Sequence, residues 1–163
     1  MDNLIQITSG RFTATINPSI GGSLTSWTEN VDGKEVDLMR HALPESVEKK
    51  AADMTAMFPL VPYSNRIRGG SFIYWGIKRI VPKNHPFVAD PLHGEGWQRE
   101  WHVVEQSATR VVIQFEHNGK DGFPFSYQAT ETFEVEARSA SDAAQQAQAQ
   151  YGGDVYMMNV YSF

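Results

Sequence analysis

Hydrophobic and polar residues alternate with a period of two over much of the chain, the pattern of half-buried strands. Phe12, Ala14 and Ile16 share one side of the first such run, with Arg11, Thr13 and Thr15 on the other. Asn17-Pro18 and Gly21-Gly22 break it, and Asp32-Gly33, between residues 23–29 and 35–39, predicts a hairpin turn. Residues 71–75 and 77–81 flank Gly76 as a second hairpin. Three extended runs follow, at 100–106, 110–116 and 125–135, and predict a long antiparallel meander. In the last run Phe125, Tyr127, Ala129, Phe133 and Val135 share one face, and Ser126, Gln128, Thr130, Thr132 and Glu134 the other.

The intervening segments read differently. Residues 44–56 (PESVEKKAADMTA) have helical composition and predict one short helix or an ordered loop. Residues 57–70 (MFPLVPYSNRIRGG) carry prolines and glycines around a polar Ser-Asn-Arg centre, which suits neither a helix nor a central strand, so a structured loop is expected. Residues 82–96 are irregular. After Ala137 the composition changes to RSASDAAQQAQAQ, without aromatic or branched apolar residues. Ser139 as N-cap and Gly152-Gly153 as a stop would permit a short C-terminal helix there. The predicted fold class is all-β and antiparallel.

Composition narrows the function classes. A chain of 163 residues with 41% hydrophobic content fits one ordinary soluble domain. The longest apolar stretches are far too short to cross a bilayer, and the first residues lack a secretory pattern, so a cytoplasmic address is expected. With no cysteine, thiol nucleophiles, disulfides and zinc–cysteine sites are excluded. A net charge of −5 argues against a general polyanion binder. No nucleic acid and no membrane partner is expected.

Signatures such as GxGxxG, the P-loop, HExxH and GxSxG are absent. The five histidines, His41, His85, His93, His102 and His117, have no close metal-ligand spacing, and no metal or cofactor is expected. Three features stand above this background. Ser64-Asn65-Arg66-Ile67-Arg68 is a polar, cationic patch in an apolar loop. Its arginine either ties the loop down or aims a guanidinium fork at ligand oxygens. Pro91-Leu92-His93-Gly94-Glu95-Gly96-Trp97 sets a histidine in a glycine-rich loop before a tryptophan, a group suited to stack on a sugar ring; a plain surface turn is the alternative. Finally, no acidic residue lies between Asp53 and Asp90, while Arg66, Arg68, Lys78, Arg79 and Lys83 do. This stretch reads either as charged protection of hairpin edges or as a site for an anionic ligand such as a sugar phosphate.

The segments MFPLVPYSNRIRGGSF (57–72), PLHGEGWQREW (91–101) and GFPFSYQATETFEV (122–135), with GGSLTSW (21–27) before them, resemble the N-terminal half of bacterial aldose 1-epimerases, the galactose mutarotases. The resemblance covers about residues 1–137 and implies a β-sandwich of the galactose-mutarotase type with a sugar cleft on one sheet face. It places Asn65, Arg66 and His93 in the sugar site and His93 as the catalytic candidate, with Trp97 as the neighbouring platform. The implied reaction interconverts the α and β anomers of a free aldose such as galactose or glucose. In the family, the base is a glutamate far toward the C-terminus and the acid a second histidine just after the midpoint; neither has a counterpart here. His117 or His102 as replacement acid, and Glu95 or Glu131 as replacement base, have no support from spacing.

Family members are roughly twice as long. Residues 1–137 are therefore expected to be the N-terminal part of the sandwich, and residues 138–163 an atypical, out-of-frame tail, since with suitable codons a one-base shift turns RSASDAA into an alternating strand. A sandwich so truncated would expose sheet edges and self-associate, with the apolar end of the tail (Tyr151, Val155, Tyr156 and beyond) as a cover. Two alternatives stand beside the epimerase: a non-catalytic carbohydrate-binding remnant, and a hexose 6-phosphate epimerase relative.

Overall fold

A computed structural model describes residues 4–136. The expectations for residues 138–163, helix and out-of-frame tail included, lie outside the described residues. Strands β1 (Ile5–Ser9), β2 (Phe12–Asn17), β3 (Ser23–Val31) and β4 (Lys34–Asp37) form a four-stranded antiparallel sheet in sequential order. The turn into β4 is the one expected: Asp32 (φ 52°) and Gly33 (φ 80°) are both left-handed, as a tight hairpin requires. Strand β1 was not foreseen. Its alternation, with Ile5 and Ile7 buried and Gln6 and Thr8 exposed, spans one short strand, and its pairing with β2 makes it a strand.

One short helix, α1 (Glu45–Lys49), and a 3₁₀ turn at Ala52–Met54 occupy the region of helical composition. The helix stops at Lys50, whose left-handed φ of 46° turns the chain away. Strands β5 (Ser71–Tyr74) and β6 (Ile77–Ile80) make the second hairpin. Strands β7 (His102–Gln106), β8 (Arg110–Asn118) and β9 (Ser126–Glu134) make the meander as a three-stranded sheet.

The core lies where the inward residues of β1–β3 meet those of β8 and β9: Ile7, Ile16 and Leu24 against Val111, Ile113 and Phe133, around Trp101. Burying each such side chain contributes about 1.5–3 kcal/mol, so this seam is the main stabilising feature of the domain. Its centre also fixes the loops above it. Trp101 donates through Nε1 to Gly96 O (2.9 Å) and its backbone N–H donates to Pro18 O (2.9 Å), fastening the chain before β7 to the β2–β3 turn. Gly21 in that turn has φ 61°, and a Cβ there would stand 2.1 Å from Trp97 O, so only glycine lets the two segments pass.

The parity of β9 contains one polar intruder. Glu131 lies on the face of Ala129 and Phe133, fully buried, rather than among the polar residues of the opposite face.

Candidate functional site

Two loops carry the predicted site residues, and backbone hydrogen bonds set them side by side. Arg66 and Leu92 form an antiparallel bridge, flanked by Ile67 N–H to Pro91 O (3.2 Å) and His93 N–H to Asn65 O (3.0 Å). Gly96 N–H to Val61 O (3.2 Å) closes the far end. Gly94 makes this approach possible, because with φ 67° a Cβ would lie 2.1 Å from Val61 O. Asn84 holds the second loop from behind: its side chain receives Leu92 N–H and donates to Leu92 O and Gly94 O at 2.6–2.8 Å.

The structure therefore brings Asn65, Arg66 and His93 together, although 27 positions separate Arg66 from His93 in the chain. Asn65 Oδ1 accepts the Arg66 N–H (2.8 Å), shaping the turn. The Arg66 guanidinium is exposed and has no ion pair or hydrogen bond among the described residues, so it is not the strap that ties its own loop. His93 holds a left-handed φ of 60°. Its Nδ1 lies 2.8 Å from Ser64 O. A carbonyl only accepts, so Nδ1 carries the proton of that bond and Nε2 is left without a partner among the described residues. Neutral His93 thus offers a lone pair at Nε2, and protonated His93 offers an N–H.

Trp97 sits differently from the expected open platform. It is only 5% exposed, and its Nε1–H is shared between Gly94 O (3.0 Å) and Leu92 O (3.3 Å). Its ring packs on Phe58 (5.6 Å between centroids), stacks with His85 (5.9 Å) and meets His93 edge-on (6.5 Å). It acts as the floor beneath His93. The exposed aromatic at this end is Phe87, in contact with His85 at 5.7 Å.

Glu95, two residues after His93, is the organising group that spacing did not reveal. It is buried. Oε1 accepts from the Tyr127 hydroxyl at 2.6 Å and pairs with His117 Nδ1 at 3.2 Å, while Oε2 accepts Phe123 N–H at 3.2 Å. His117 Nε2 in turn lies 2.7 Å from Phe123 O. The cluster locks the site loop to the β8–β9 turn. Burial, and then the bond to Glu95, push the Tyr127 hydroxyl far above its ordinary range, so it remains a donor. Burial likewise pushes Tyr63, beside the same loop, up to about 12. With all its partners supplied by the protein, Glu95 is an anchor and not a free base. One signal did exist: His117 continues the inward parity of Val111, Ile113 and Phe115, and Tyr127 faces it across the sheet.

The five cations of the acid-free stretch are not gathered at one point. Arg79 lies over the Phe125 ring (5.3 Å), Lys83 Nζ donates to Pro86 O (3.1 Å), and Lys78 stands out on the β5–β6 hairpin. Among the described residues no group of three or more metal-ligating side chains converges, and no helix is long and apolar enough to cross a membrane.

The aldose 1-epimerase family model matches residues 3–150. This chain belongs to the aldose 1-epimerase family. The uncharacterized protein YphB of Escherichia coli K12 is 34% identical over 80 residues, 49% of this chain and 27% of that protein. A GalM/aldose epimerase homologue from C. elegans superposes with a TM-score of 0.65 at 28% identity, covering 83% of this chain and 42% of the other. A candidate aldose 1-epimerase from Escherichia coli K12 shares the fold with a TM-score of 0.69 at 24% identity, over 83% and 42% of the two chains. The chain thus spans less than half the length of each of these relatives. The expected all-β, galactose-mutarotase-type fold is the fold observed.

Proposed function

We propose that this chain carries one half of an aldose 1-epimerase site, in which Asn65, Arg66 and His93 bind a free aldose such as galactose or glucose. The observation that supports it most is the pairing of an unpartnered His93 Nε2 with the exposed Arg66 guanidinium on adjoining loops. Opening the sugar ring needs a base to take the C1 hydroxyl proton, and an acid to protonate the ring oxygen as the C1–oxygen bond breaks. His93 serves as the proton-moving or hydrogen-bonding group at the ring oxygen, and Arg66 holds hydroxyl oxygens. Its setting is cytoplasmic, and self-association through the open edges of β4 and β7 belongs to the same reading. A stable monomer by size exclusion with light scattering would remove that last part.

A second reading, sugar binding without turnover, is favoured by one observation: Glu95, the carboxylate nearest in sequence to His93, is fully engaged by Tyr127, His117 and Phe123. Polarimetry of freshly dissolved α-galactose and α-glucose separates the two. Acceleration that disappears in His93→Ala supports the epimerase. Saturable galactose binding by calorimetry without acceleration supports the binding protein. Folded protein that neither binds nor accelerates overturns both. A hexose 6-phosphate ligand is tested in the same titration, since phosphate binding at exposed arginines weakens as salt rises whereas neutral sugar binding does not.

A further inference from the structure

The β5–β6 hairpin has two unlike faces. Its register pairs Phe72 with Arg79 and Tyr74 with Ile77 on one face, Ser71 with Ile80 and Ile73 with Lys78 on the other. The first face packs on the rest of the domain through its aromatic residues, where Phe72 meets Phe123 (6.0 Å) and Tyr74 meets Phe125 (5.0 Å), while Ile77 beside the turn is exposed. The second face looks outward, with Ile73 75% and Ile80 59% exposed and Trp75 at the tip 88% exposed.

Trp75 is costly in two independent ways. Its side chain, stacked on one side against Tyr74 (5.9 Å), is otherwise left in water, and its backbone is left-handed at φ 51°, followed by Gly76 at 72°. A two-residue turn of this kind prefers Asn-Gly or Asp-Gly, so the local chemistry would select a small polar residue here. An apolar side chain held at solvent in a sparsely populated conformation points toward a role outside the fold. The surroundings are cationic. Arg68 and Lys78 are exposed and make no ion pair among the described residues. Asp90, the acid bordering the stretch, accepts Gly69 N–H at 2.9 Å.

We propose that the β5–β6 hairpin is a docking element for an anionic lipid surface, with Trp75 and Ile73 entering the headgroup region and Arg68 and Lys78 meeting the lipid charges. The shape favours lipid over a protein partner. Trp75 projects from the turn of the hairpin, and a deformable interface surrounds such a tip where a protein would need a matching pocket. Tryptophan suits the headgroup boundary, where one end is apolar and the other wet. Basic residues near the bilayer add electrostatic attraction that reaches about one Debye length. The expectation of no membrane partner rested on apolar stretches too short to cross a bilayer, which does not bear on docking at its surface.

The test is co-sedimentation of the full chain with vesicles of phosphatidylcholine alone and of phosphatidylcholine mixed with phosphatidylglycerol. Binding to the mixed vesicles, reversed by high salt and accompanied by a blue shift of tryptophan emission, is expected. Trp75→Asn leaves a favoured Asn-Gly turn and is expected to lower the partition coefficient about tenfold and remove the blue shift. Lys78→Glu is expected to weaken binding without altering near-ultraviolet circular dichroism. No sedimentation with either vesicle, or equal sedimentation with both, overturns the proposal. So does sedimentation without vesicles that Trp75→Asn abolishes, since the hairpin would then join copies of the chain.

Discussion

Glu95 and Glu131 are both buried carboxyls on the inner side of the domain, and they are opposites. Glu95 sits where the site loop crosses the start of β9 and is engaged by Tyr127, His117 and the Phe123 N–H. Glu131 sits in mid-strand among apolar side chains, and neither of its oxygens has a partner among the described residues. Its burial alone holds its carboxyl well above the ordinary value of 4.5, which favours the neutral form. The difference teaches that burial by itself does not define an anchor. A carboxylate organises structure when donors converge on it, and otherwise it is a cost carried by the core.

The sharpest way to break this comparison is Glu95→Ala. The Tyr127 hydroxyl and the Phe123 N–H lose their acceptor and His117 loses its neighbour at once, and the expected loss is about 3–5 kcal/mol, read from urea denaturation. Should the variant match the parent in stability, the anchoring role assigned to Glu95 is wrong.

Glu131→Leu is expected to act in the other direction, gaining about 1–3 kcal/mol at pH 8. The sign follows from linkage: with its folded pKa raised, Glu131 binds more protons in the native than in the unfolded state, so stability falls as pH rises above about 4.5. The gain from Glu131→Leu should therefore shrink as pH drops toward that value. A gain independent of pH between 4.5 and 8 would mean that Glu131 is not held neutral.

Tyr127→Phe removes one donor from Glu95 and keeps the ring packed against His117 and Phe115. A loss of about 1.5–3 kcal/mol is expected, the range for a hydrogen bond to a charged group, measurable by thermal denaturation. Glu131→Gln should give a smaller gain than Glu131→Leu at neutral pH, because an amide needs no proton but still lacks partners. A Gln variant as stabilised as the Leu variant would show that ionisation, and not polarity, is what the core pays for.

Much of the architecture was legible from local pattern. The Asp32-Gly33 turn, the Gly76 hairpin and the three-strand meander stand where alternation and turn residues put them. The pairing of the Asn65-Arg66 loop with the His93 loop was implied by family resemblance, and no spacing rule would have found it. Trp97 shows where composition misleads: an aromatic after glycines looks like a sugar platform, yet its indole N–H is turned inward to Gly94 and Leu92 carbonyls and its ring is covered.

By itself the sequence determined which residues face inward along each strand, because side chains alternate strictly across a sheet. That parity marks His117, Tyr127 and Glu131 as inward whatever they touch. Only the tertiary structure decided which of these polar groups are satisfied. The donors that reach Glu95 come from 28 and 32 positions away, carried there by the register of β8 with β9. Hydrogen bonds act over about 3 Å, and a chain pattern with a period of two carries no information about what lies at that distance across a fold.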